Sequence, residues 1–187
     1  MSNFVLHNVV SVQHDTFDLR INDQGIYISI LNATHTPPHL LIIFNGFAYS
    51  LSVNGFKTDK KLQELIRLIR AREIKALFVE LVPPTNFIED YSKLINHLIR
   101  TCIPLELGEV TCLFPIKEFC KVAYNLDLSK VEFIFDLLPV LERNLLIKES
   151  YSMNMDEDLI CDGYSLKTYG IAEINDMIED IQFKQIK

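Results

Sequence analysis

The chain has 187 residues, 49% of them hydrophobic and 23% charged, so it is long enough to bury roughly 70% of its unfolded surface without disulfides or a metal. Its 18 Lys and Arg stand against 25 Asp and Glu, a net charge of −7, and so diffuse an acidity argues against binding a nucleic-acid backbone. No apolar run reaches the length of a membrane span. The expectation is one cytoplasmic domain over residues 1–187, because "MSNFVLHNVVSVQHD" lacks the regions of a signal peptide and no linker or repeat interrupts the chain.

The first third reads as β. "FVLHNVVSVQ", "FDLRI" and "QGIYISILNA" are short and rich in branched or aromatic residues. "HLLIIF" and "FAYSLSV" flank Asn45-Gly46, a pair suited to a hairpin turn with positive φ at both central positions. Asn54-Gly55 marks a further turn. From Asp59 onward Leu62, Leu65, Ile66 and Ile69 recur at helical spacing, and the interleaved charges of "KTDKKLQELIRLIRAREIK" suit a solvated helix face. "IKALFVELV" is a buried strand stopped by Pro83-Pro84.

In "NFIEDYSKLINHLIR" an amphipathic helix is predicted, with Phe87, Ile88, Tyr91, Leu94, Ile95 and Leu98 on its apolar side. A second helix spans Leu113 to Tyr124, with Pro115 near its start, where a missing N–H costs least. "FIFDLLPVLERNLLI" is helical too, Pro139 starting or kinking a turn, and the tail pairs a strand-like piece with a short helix. The fold class is α+β, an antiparallel sheet from the N-terminal half packed against helices.

Chemistry centres on the cysteines and histidines. The cysteines, at 102, 112, 120 and 161, form no C-x-x-C pair, which removes the zinc-ribbon and thioredoxin signatures. Cys112 lies where a loop enters a helix, with Thr111 as a possible cap, and a helix N-terminus favours a thiolate. Cys120 sits two turns further in, Cys102 at a helix exit, and Cys161 among Asp156, Glu157, Asp158 and Asp162. Cys112 is therefore the candidate nucleophile. His7 and His14 have no distinguishing context, and His97, late on an amphipathic helix, suits a dipole-compensating surface role. His35 and His39 are separated by Pro37-Pro38, so they share no helical metal-binding face. His39 opens the apolar strand "HLLIIF", a rigid support for an imidazole. Glu80, an acid inside an apolar strand, demands a partner.

The hairpin "PPHLLIIFNGFAYSLSVNG", followed by "TCLFPIKEFCKVAYNL" and "FIFDLLPVL", resembles the histidine hairpin and cysteine helix of NlpC-type papain-like peptidases. The order His39 then Cys112 is that of the circularly permuted branch, and the likeness spans about residues 25–142. It implies a papain-like architecture and a thiol hydrolase or acyltransferase acting on an amide, isopeptide or ester of a peptide or acyl substrate. In that scheme His39 deprotonates Cys112, Glu80 orients the ring, and backbone N–H groups near Cys112 hold the oxyanion. Leu113 departs from the pattern, since many relatives carry a small or polar residue there.

The alternative is a non-enzymatic protein-interaction domain on the same or a similar scaffold, its site decayed. It would bind another protein through the acidic C-terminal surface of "MNMDEDLICDG" and "INDMIEDI" or through the helix "NFIEDYSKLINHLIR", and it explains the overall acidity equally well. No cofactor or metal is implied, and neither G-x-x-x-x-G-K nor G-x-G-x-x-G occurs, which disfavours a nucleotide-binding domain.

Overall fold

The computed structural model describes residues 4–12, 24–52, 55–84, 93, 94, 97 and 111–185. In chain order the elements are β1 (Val5–Leu6), β2 (Val9–Ser11), β3 (Ile26–Leu31), β4 (His39–Phe44), β5 (Phe47–Ser52), β6 (Gly55–Lys61) and α1 (Leu62–Ala71). Then come β7 (Ala76–Leu81), α2 (Phe114–Tyr124), α3 (Ile134–Arg143), β8 (Ile147–Met153), β9 (Tyr164–Ser165) and α4 (Ile171–Gln185).

The two most apolar segments, "IYISIL" and "ALFVEL", become β3 and β7, neighbouring strands buried along their whole length. Around them a mixed seven-stranded sheet runs β2-β8-β7-β3-β4-β5-β6, and β1 pairs with β9 apart from it. Neighbours in the large sheet are antiparallel except β2 and β8. The fold is α+β.

Strand alternation divides the core in two. Ile26, Ile28, Ile30, Leu40, Ile42, Leu77 and Val79 face α2 and α3, meeting Ile116, Phe119, Leu137 and Leu141. Tyr27, Leu31, Leu41, Ile43 and Phe78 face α1, where Leu62, Leu65, Ile66 and Ile69 cover them. The helical spacing read in α1 is thus its buried stripe. Asn45 and Gly46 take φ values of 49° and 73°, the turn expected of them.

Elsewhere the chain departs from its local pattern. The region from Asp59 is strand through Lys61, because β6 pairs with β5 from Phe47↔Lys61 to Ser52↔Gly55. Only backbone pairing is needed there, and no apolar pattern announces it. The predicted helix through Ile147 ends at Arg143; Leu145, with φ 57°, reverses the chain into β8. β8 fills the gap between β7 and β2, so the sheet draws on the C-terminal half and contains one parallel pair. The first predicted strand breaks in two around Asn8, whose φ is 54°. "FDLRI" and most of "NFIEDYSKLINHLIR" lie outside the described residues.

Candidate functional site

His39 is the first residue of β4 and pairs with Leu31 of β3. Directly opposed residues share a face, so the half-buried imidazole projects to the side that α1 covers, with Leu41 and Ile43. The two prolines before it carry the chain into the strand from the turn after β3; the Thr36–Pro37 peptide is cis.

Glu80 projects to the same face but at the other end of the strands. It pairs with Tyr27, whereas His39 pairs with Leu31. Four residues of register place them roughly 13 Å apart along the sheet. The structure does not bring Glu80 to His39. The partner that this buried acid requires is Lys148 of β8, whose Nζ donates to Oε1 at 2.7 Å. Tyr151 adds a hydroxyl 3.4 Å from Oε2 and also meets Glu149. Burial raises the Tyr151 phenol most, and the neighbouring carboxylates raise it further. The hydrogen bond to Glu80 raises the Lys148 ammonium. Lys148 and Tyr151 lie beyond the predicted helix, in the segment "KESYSM" to which the sequence assigns no element.

Cys112 belongs to the opposite side of the sheet. It packs against the core under α2 and α3, while Thr111 closes a turn just ahead of the helix: its hydroxyl accepts from the Leu113 N–H at 3.3 Å and its carbonyl from the Phe114 N–H at 2.9 Å. The N-cap of α2 is Leu113, with no side-chain cap bond, so the expected cap at Thr111 does not form, and the expected acidity of the thiol does not follow. The residue as a whole is half-buried, but desolvation of the sulfur is the largest influence and pushes the thiol from the ordinary 9.0 up to about 11, although the N–H groups of Leu40 and of Cys112 itself pull it down. The sulfur thus meets β4 one residue beyond His39, at the backbone rather than the imidazole.

Its other neighbour is Tyr169, unremarked in the sequence. Burial is the main cause that raises the Tyr169 phenol, the Cys112 thiol adds to it, and the Ile134 N–H opposes it. The Tyr169 ring sits edge-on to Phe133 and Phe135, centroids 5.4 and 5.3 Å away. Cys120 is fully buried on α2 and pushed up to about 12, whereas Cys161 is exposed in the turn joining Ile160 to Gly163. Cys102 lies outside the described residues.

Beside this aromatic cluster a cleft of about 270 Å³ opens between the start of α2, the turn before α3 and the first turns of α4. Leu113, Phe114, Phe133, Ile171, Ile174 and Ile178 give it apolar walls. Its polar lining is Thr111, Lys117, Glu132 and Asn175, the last with an amide oxygen that is buried without a hydrogen-bond partner. Lys117 donates from Nζ to the Val131 carbonyl at 2.7 Å.

Among the described residues no group of three or more His, Cys, Asp or Glu is placed to hold a metal, and no helix is long and apolar enough to cross a membrane. No protein family, curated protein or solved structure matches the chain.

Proposed function

We propose that this chain is a protein-interaction domain, with the cleft between α2, α3 and α4 as its contact site. The observation that carries the reading is the open, apolar-walled cleft, at whose edge Ile171 is 51% exposed. An apolar side chain from a partner would bury both surfaces there, and such burial drives most associations. Cys112 then serves the packing behind the cleft as a small apolar group, which is how a buried thiol usually behaves.

A photo-crosslinking residue at position 171 tests this. It should trap a discrete partner, whereas the same residue at Leu145, 82% exposed and off the cleft, should not. Equal trapping at both positions, or none at position 171, refutes the reading.

One observation favours a second reading, a permuted papain-like thiol hydrolase. The Cys112 sulfur lies against the N–H of Leu40, the residue after His39. That reading requires the imidazole to leave the α1 side and the thiol to become acidic, so it demands fast, His39-dependent alkylation of Cys112 near pH 6.

A further inference from the structure

Among the described residues Lys117 is the one cation lining the cleft, and it is half-buried in a chain of net charge −7. Its ammonium is held by a neutral carbonyl, that of Val131, and among the described residues no carboxylate pairs with it; Glu132 lines the same cleft without reaching it. An ammonium has three donors, and one bond to a carbonyl leaves its charge uncompensated. Around it stand Phe114, Phe133, Ile171 and Ile174. An anion with an apolar group close to the charge would satisfy both features at once.

Size narrows the class. Sites for drug-sized ligands span roughly 300–1,000 Å³, so about 270 Å³ suits a single anchoring residue better than a nucleotide or an organic cofactor. A chain terminus carries a carboxylate and a side chain on the same carbon, which is the most compact way for a polypeptide to present both. We infer that the cleft receives the C-terminal residue of a partner polypeptide, its α-carboxylate on Lys117 and its apolar side chain between Phe114, Phe133 and Ile171. This rests on the interaction reading above and assigns the chemistry of the partner.

The probe is a labelled pool of hexapeptides, randomised at the first five positions and ending in Leu, Ile, Val or Phe, read by fluorescence polarisation against the full chain. Free-acid peptides should bind, and the same peptides with a C-terminal amide should bind at least tenfold more weakly, the loss expected for a charge-assisted hydrogen bond. Lys117→Met should erase the difference between acid and amide, and Lys117→Arg should keep it. Should Lys117→Met fail to fold, the acid-against-amide comparison on the unaltered chain decides alone. Equal binding of acid and amide, or no binding by the acids, overturns the carboxylate assignment. Trapping at position 171 in the same preparation would show that the interaction reading survives it.

Discussion

At neutral pH Cys112 should alkylate about a hundredfold more slowly than an ordinary exposed thiol. Burial moves its ionisation from 9.0 to about 11, so at pH 7.5 the reactive thiolate falls from roughly 3 in 100 molecules to roughly 3 in 10,000. The assay is iodoacetamide labelling followed by peptide mass spectrometry between pH 6 and 11, with the exposed Cys161 as internal reference. The rate at Cys112 should climb about tenfold per pH unit and keep climbing beyond pH 10. His39→Ala should leave that profile unchanged, because the imidazole sits on the α1 face and the sulfur meets β4 at the Leu40 backbone. A plateau below pH 7 that disappears in His39→Ala would refute the reasoning and favour the hydrolase.

Two further measurements test the packing. The Cys112 and Cys120 thiols are raised to about 11 and about 12 in the folded chain against an ordinary 9.0. The folded state therefore holds protons that the unfolded state releases. Their stabilisation is complete below pH 9 and is lost as the pH rises through 11 to 12, about 3 kcal/mol for Cys112 alone. Urea midpoints should fall steadily across that window, and a flat profile would show that the thiols are solvated. Lys148→Met should cost about 1–2 kcal/mol by leaving the buried Glu80 carboxylate without its ammonium, a modest figure because Lys148 is 55% exposed. The double change Lys148→Met with Glu80→Leu should recover most of the loss, and a cost that persists in the pair would refute the ion-pair account.

How much was legible follows from how local each signal is. The sequence by itself determined β3, the β4–β5 hairpin with its Asn45-Gly46 turn, α1, β7 and α2, because each shows in its own residues either a short apolar run bounded by turn signals or an apolar stripe at helical spacing. It also determined that Glu80 needs a partner. Who that partner is depended on β8, whose "IKESYSM" carries no strong period and becomes a strand because β7 has an open edge to fill. Likewise, a helix start beside Thr111 argued for an acidic thiol, but a helix end acts over one turn and burial acts from every side; only the packed core shows that burial wins. The separation of His39, Glu80 and Cys112 is a matter of register. Moving a strand by one residue turns every side chain to the other face, and no single strand's sequence contains that choice. The cleft is tertiary for the same reason, since Lys117, Phe133 and Ile171 come from three segments that meet only when α2, α3 and α4 pack against one sheet face.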